Sequence, residues 1–504
     1  MQGLAEANRE LLDAAALCRQ LVREGSVEAF LADHRHDLFP DELFEDLFPS
    51  KRGRPSIPAD TVASVMVLQA LEGLSDREAA RALTDRISWK VACGLALDEA
   101  GFDYSVLTYW RTRLRQSAGP ERIFAAVRSV VEATGVLSGK HRRALDSTLL
   151  DDAVATQDTV TQLVAAIRRV RRVIPETQGV ALVAHDYESL AKPAIAWDDE
   201  EARAQLVDGL VRDALTLLDT CESQSDDQSE ALGLLALVAG QDVELDDEGQ
   251  WRVIRGVAKD RVISVVDPES RHMHKSRSSY RDGYKAHIVV EPETGIVTAA
   301  TLTPASAPDG PTGVELLAGE APGRQILADG AYGSGETLAD LGAAGHVLAI
   351  KPHVTGTAVP GGFHRDDFVV DEAAGTVTCP AGEVAFITRT RRAIFGSRCT
   401  ACPLRARCTT SRSGRKINLT VHDAELVESR RAWREGDFAT DYRQFRPMVE
   451  RSIAWLVANN HRRVRYRGVA RNQFGLSMRV AAINLRRLIN LGLTNDGTWT
   501  IATT

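Results

Sequence analysis

Three acidic residues and four cysteines are the side chains of this 504-residue sequence whose settings suggest chemistry. In RQILADGAYGS (324–334) the apolar run Ile326-Leu327-Ala328 ends in Asp329, with Gly330 and Gly333 following. That pattern reads as a buried strand with a carboxylate at its C-terminal tip, and SGETLADLGAAG behind it reads as a helix. An aspartate in such a place is either a turn-former, bonding nearby backbone amides, or a ligand. A second aspartate, Asp146, is central to the strand-like HRRALDSTLL (141–150). Glu450 lies on TDYRQFRPMVERSIAWLVANNHRR, a helix with an apolar stripe at Phe445, Val449, Ile453 and Leu456. Arg443, Arg446 and Glu450 share one edge of that stripe, so Glu450 alone reads as an ion pair on a surface. The combination says more. Two strand-borne aspartates and a helix-borne glutamate, ringed by basic residues, can hold two Mg²⁺ ions against a phosphodiester. Hard cations take carboxylate oxygens, and two ions about 3.5–4 Å apart stabilise the attacking and leaving oxygens of an in-line displacement.

The cysteines are Cys379-x19-Cys399-x2-Cys402-x5-Cys408, while Cys18, Cys93 and Cys221 are scattered. In a reducing compartment a cluster of this kind points to metal rather than disulfides. Four thiolates complete the tetrahedron that Zn²⁺ prefers and leave no open position, so the expected role is structural; a set of reduced, unligated cysteines is the alternative.

These groups need elements to hold them. The length suits roughly three domains, and 44% hydrophobic with 26% charged residues describes a soluble, folded chain. The opening MQGLAEANRELLDAAALCRQLV carries acids from Glu6 and no apolar core fit for export, and no run is long enough to span a bilayer. A cytoplasmic protein without a membrane partner is expected. Net charge is -8 with a pI near 5.9, yet the charge is segregated. From Arg389 to Lys416 there are nine Lys or Arg and no acid; from Arg443 to Arg487 there are eleven Arg with Glu450 the only acid. Segregation of this kind suits local neutralisation of phosphates. In SKRGRPSIP, Arg52 and Arg54 resemble a short hook for an A/T-rich minor groove. ADTVASVMVLQALEG and SDREAARALTDRISWKVACG read as helices, the second opened by a Ser cap and closed at Gly, compatible with a helix-turn-helix or with a plain helical bundle. DGYKAHIVVEPETGIVTAATLTP (282–304) reads as a hairpin, GPTGVELLAGE as a short helix and HVLAIKP as a strand. Alternation of this sort implies a mixed α/β sheet with helices on its faces.

The chain resembles the bacterial insertion-sequence transposases that carry an Asp-Asp-Glu triad on a ribonuclease-H-like fold. GRPSIPADTVASVMVLQALEGLSDREAARAL is similar to their N-terminal helical region, ALDSTLL to the first Asp strand, DGYKAHIVVEPETG to the hairpin, ILADGAYGS to the second Asp, and YRQFRPMVERSIAWL to the Glu helix. The resemblance implies Asp146, Asp329 and Glu450 as the triad and as ligands of two Mg²⁺ or Mn²⁺ ions. It implies an enzyme that binds the terminal inverted repeats of its element, cleaves there and joins the ends to target DNA, as a homodimer on double-stranded DNA in the cytoplasm, associated with the nucleoid. Family members often show Tyr, two residues, Arg, three residues, Glu, six residues, Lys; here Arg446 and Glu450 fit, Tyr442 stands one residue further off, and Val457 holds the Lys position. Arg443 and Arg446 are expected to grip phosphates near the scissile bond, with Lys285, Arg462, Arg463, Arg52 and Arg54 as further DNA contacts. The expected organisation is an N-terminal helical, DNA-binding region (1–135), the first catalytic strand (136–150), a helical insertion (151–260), the catalytic α/β core (261–352), a zinc-ribbon-like Cys-rich insertion (353–438) and C-terminal helices completing the catalytic domain (439–495). A metal-dependent nuclease without strand transfer and a non-catalytic DNA-binding protein on the same fold are the alternatives.

Overall fold

In the computed structural model, residues 1–4, 12–50, 52–258, 260–276, 279–353 and 355–502 are described. The N-terminal part of the expected opening helix, residues 5–11, and Lys51 of the basic linker lie outside them. Among the described residues seven α-helices come first: α1 (Ala14–Cys18), α2 (Val27–Leu38), α3 (Ala59–Glu72), α4 (Asp76–Asp85), α5 (Ile87–Cys93), α6 (Ser105–Gln116) and α7 (Arg122–Ala133). The expected single helix from Ser75 to Gly94 is two. Ser75 and Glu78 form a reciprocal capping box at the start of α4, but Arg86 adopts extended angles (φ -102°, ψ 119°) and breaks the run before α5.

β1 (Arg142–Asp151) then enters the central sheet. A largely separate helical unit follows, built from α8 (Thr159–Val173), α9 (Glu200–Thr220) and α10 (Asp226–Gln241) around its own apolar core, with a small hairpin β2 (Val243–Leu245) and β3 (Trp251–Val253). The sheet resumes with β4 (Arg271–Ser276), β5 (Ser279–Val290) and β6 (Val297–Pro304), then α11 (Asp309–Leu317), β7 (Gln325–Ala328), α12 (Gly335–Ala343) and β8 (Val347–Ile350). Its order is β4-β5-β1-β7-β8, with β6 also paired to β5. β1, β7 and β8 run parallel, and β5 is antiparallel to β1, β4 and β6. The fold is therefore mixed α/β, as the alternation of strands and helices implies.

Three short strands β9 (Val369–Asp371), β10 (Thr376–Thr378) and β11 (Val384–Phe386) make one small sheet, and β12 (Arg392–Ile394) pairs with β13 (Lys416–Asn418) across the short α13 (Arg405–Cys408). The chain finishes with α14 (Asp423–Glu435), α15 (Phe438–Val457), α16 (Val469–Asn490) and a terminal hairpin β14 (Leu493–Asn495) and β15 (Trp499–Ile501). One sheet face buries Leu145, Ile326 and Tyr332 under α11 and α12; the other buries Ala144, Ile288 and Leu327 under α15 and α16. α16 also belongs to the N-terminal core: Phe474, Met478, Ala481, Leu485 and Leu488 pack with Val62, Met66 and Trp110.

That shared core is fastened by hydrogen bonds at the C-terminus of α3, where the last carbonyls have no partner within the helix. Arg479 Nη1 donates to the carbonyls of Ala70 (2.6 Å) and Leu71 (2.7 Å), His461 Nε2 to Ala70 (2.8 Å), Asn459 to Leu71 (3.1 Å) and Arg465 to Gly73 (2.6 Å). Gly73 closes the helix in the left-handed region (φ 72°), and a side chain there would collide with the Asn459 carbonyl.

Candidate active site

Strand register brings the two aspartates together. Ala144 on β1 pairs with Leu327 on the parallel β7; two residues further along stand Asp146, on β1, and Asp329, the residue just past β7, its backbone still extended. Side chains alternate faces with a period of two, so both carboxylates emerge on one face of adjacent strands. α15 crosses that face, packed on β1, β5, β7 and β8, and presents Arg446 and Glu450 one turn apart.

Arg446 is the hub. Its side chain is only 5% exposed, against 16% for Asp146, 43% for Asp329 and 63% for Glu450. Nη2 stands 2.9 Å from Asp146 Oδ2 and 3.8 Å from Asp329 Oδ2, while Nε is 3.9 Å from Glu450 Oε1 and makes no hydrogen bond. Nη1 donates to the Leu145 carbonyl. Asp146 also accepts from the Ser147 amide (2.8 Å). Burial raises the Asp146 pKa above the usual carboxylate range, and the Arg446 cation pulls it back part of the way. Asp329 does both things its position allows. Oδ1 accepts from the Ala331 amide (2.9 Å), forming the turn, while Oδ2 faces Arg446. Tyr442 flanks the site, its ring centroid 5.9 Å from the Arg446 guanidinium carbon and 5.3 Å from Trp433, and burial pushes its phenol pKa up.

A polar network that sequence reasoning missed backs the site from the opposite sheet face. Ser147 Oγ donates to Asp309 Oδ1 (2.6 Å), and His287 Nδ1 lies 3.6 Å from the same oxygen. His287 is fully buried and its pKa is pushed down to about 4 by that burial. The signal was the spacing of Lys285 and His287, two apart on a central strand and so on the same face. Lys285 is part of this network rather than a surface cation. Its side chain is 4% exposed, with Nζ 2.7 Å from the Ala307 carbonyl and 3.2 Å from Asp309, because β5 is an interior strand and this residue faces α11.

The remaining basic candidates are dispersed. Arg443 is exposed on α15, its Nε donating back to the Ala439 carbonyl (3.0 Å). Arg462 donates to Thr148 Oγ1 and the Leu149 carbonyl (2.8 Å each), and Arg463 to the Asp152 carbonyl (3.0 Å), which tie the loop after α15 to the end of β1. Arg52 and Arg54 are exposed in the linker between α2 and α3, remote in sequence from the triad.

Cys379, Cys399, Cys402 and Cys408 converge on one small pocket, and the Arg415 amide donates to Cys399 Sγ (3.4 Å). Among the described residues, however, no group of three or more His, Cys, Asp or Glu side chains is gathered closely enough to hold a metal ion. The four thiols thus share one pocket without being gathered into coordination distance. At the carboxylates, the Arg446 guanidinium itself stands between the oxygens. Donor chemistry fits in both places: hard oxygens for Mg²⁺ or Mn²⁺ in one, soft sulfurs for Zn²⁺ in the other. Among the described residues no helix is long and apolar enough to cross a membrane.

Two family models match the chain. Residues 378–489, which hold the four cysteines and Glu450, match a model described as a transposase DDE domain, and residues 18–113, within the N-terminal helices, match one described as a transposase domain, DUF772. No curated protein and no solved structure matches it.

Proposed function

We propose that the chain, whose residues 378–489 and 18–113 match models of a transposase DDE domain and a transposase domain, is an insertion-sequence transposase of the DDE type with Asp146, Asp329 and Glu450 as its catalytic triad, cutting DNA at the ends of its element and joining those ends to a target. The observation that carries this reading is the convergence of all three carboxylates on Arg446 from two adjacent parallel strands and one covering helix. The β6-β5-β1-β7-β8 order, with only β5 antiparallel to its central neighbour, supports a ribonuclease-H-like core.

Asp146 and Asp329 are held by sheet, so their separation does not depend on substrate; Glu450, the most exposed of the three, approaches from the helix. Mg²⁺ or Mn²⁺ held by these oxygens would supply activation of the attacking hydroxyl and stabilisation of the leaving oxygen. The Arg446 cation opposes the rise that burial gives the Asp146 pKa, the exposed Arg443 on the same helix is placed to take a phosphate, and Tyr442 walls the site on the α14 side. Four thiols in one pocket support a structural Zn²⁺ that folds the Cys-rich segment on binding. The full assembly would be a homodimer on double-stranded DNA in the bacterial cytoplasm, since two ends must be brought together for joining.

The test is a paired assay on labelled end DNA with Mg²⁺. Cleavage followed by joining of precleaved ends to a target plasmid is expected. Cleavage without joining selects a nuclease, and binding without either selects a non-catalytic DNA-binding protein.

A further inference from the structure

The pairing of β12 with β13 builds a two-stranded ribbon whose two faces differ completely. Ala393 and Ile417, the central residues of each strand, point inward and are buried against Phe368, Phe395 and Leu419. The flanking residues point outward by the period-two rule: Arg392 and Ile394 on β12, Lys416 and Asn418 on β13, all exposed. Arg392 lies directly across from Asn418, and Ile394 from Lys416. Close to the two strands in sequence, Arg389 and Arg412 are exposed too, as is Arg398, which also lines the cysteine pocket. None of these five cations has a carboxylate within ion-pair distance among the described residues, whereas Arg391 of the same segment does. Glu372, between β9 and β10 of the neighbouring small sheet, is paired with Arg391 (2.6 Å).

We propose that the outer face of the β12–β13 ribbon is a duplex-DNA contact, seated in the major groove with Arg389, Arg398 and Arg412 reaching the flanking phosphates. The argument is complementarity of shape and charge. A two-stranded antiparallel ribbon is one of the two protein elements that a major groove about 12 Å wide admits. The outward residues are those that read base edges: Arg and Lys donate to guanine, Asn pairs with adenine, and an aliphatic side chain meets the thymine methyl. Unpaired cations are what a polyanion needs, whereas a surface evolved only for solubility mixes signs. The buried inner face gives the ribbon rigidity, which loops carrying the same residues would lack. This inference rests on the reading of the protein as a DNA-joining enzyme and adds a contact site outside the triad.

The experiment uses the full-length chain and the double variant Arg392→Ala/Lys416→Ala, with Arg172→Ala/Lys192→Ala in the helical insertion as control. A fluorescein-labelled mixed-sequence duplex of about 40 base pairs and the element's end DNA are titrated by anisotropy at several salt concentrations; each lost phosphate-like contact lowers the logarithmic salt slope by roughly 0.9. The ribbon variant is expected to lose about one to two units of slope and roughly tenfold affinity at low salt, with a larger loss on end DNA, while the control and both melting curves stay unchanged. Wild-type slope and affinity in the ribbon variant would overturn the ribbon contact alone. A wild-type protein that binds neither duplex would instead overturn the underlying functional reading, and the ribbon with it.

Discussion

Arg446 Nη2 and Asp146 Oδ2 stand 2.9 Å apart, on elements three hundred residues distant in the chain, with the guanidinium almost wholly buried. The aspartate sits on a strand and the arginine on the helix that covers it, so the pair is part of the fold as well as of the site. Removing one partner of a buried pair leaves an uncompensated charge, which costs more than the pair's net worth. Arg446→Met is therefore expected to lower stability by about 3 kcal/mol, and Asp146→Asn/Arg446→Met by less than Arg446→Met alone. Urea denaturation of Arg446→Met, Asp146→Asn and the double variant checks the sign of the coupling; additive losses would mean that the two side chains merely lie near each other.

Asp329→Asn should separate the two jobs of this residue. Asn keeps an oxygen for the Ala331 amide, so melting temperature and DNA affinity should survive. It removes the negative charge facing the cation, so cleavage of end DNA at saturating protein should fall roughly a hundredfold or more. Near-normal cleavage would sink the triad assignment.

Zinc should bind by pulling the four thiols together. Protein purified with zinc is expected to carry close to one ion per chain, and Cys402→Ser should lose both the metal and part of the thermal stability, because binding energy is folding energy. Equal stability with and without a chelator would leave the cysteines as packing residues of the Phe368–Phe395 core.

Acid should loosen the joint between the N-terminal helices and the C-terminal segment. Burial, with Arg479 and Arg465 adding to it, pushes the His461 pKa down from 6.5 to about 3. The imidazole is thus neutral in the fold, and protons bind preferentially to the unfolded chain below 6.5. Its contribution to stability is complete above that pH and is lost as pH falls toward 3. His461→Gln retains a donor for the Ala70 carbonyl and cannot titrate. The stability gap between wild type and this variant should shift in the variant's favour by roughly 3 kcal/mol between pH 7 and pH 4. A gap constant with pH would show that His461 is solvated enough to protonate in place.

Much of the site was legible because its determinants are local. The run Ile326–Ala328 ending in Asp329, the β-branched hairpin and the apolar stripe of α15 each carry their period in a dozen residues. What the sequence could not reveal was partner choice across long separations. Lys285 and Arg446 both read as free cations, and nothing local says that Asp309 claims one and Asp146 the other. The break at Arg86 was hidden for a different reason: residues on both sides favour helix, and the bend between α4 and α5 is set by packing rather than by Gly or Pro.

The fastening of α3 by Asn459, His461, Arg465 and Arg479 has a consequence for how the protein is made. The carbonyls at Ala70, Leu71 and Gly73 leave the ribosome nearly four hundred residues before the side chains that satisfy them, and the apolar groove beside them waits for α16. Synthesis at roughly 5–20 residues per second leaves that interval at tens of seconds, during which the first helices exist with an open core. A translation product stopped before residue 469 would keep every N-terminal residue yet lack the helix that closes them, so premature termination should yield aggregation-prone, protease-sensitive chains rather than a free-standing N-terminal module.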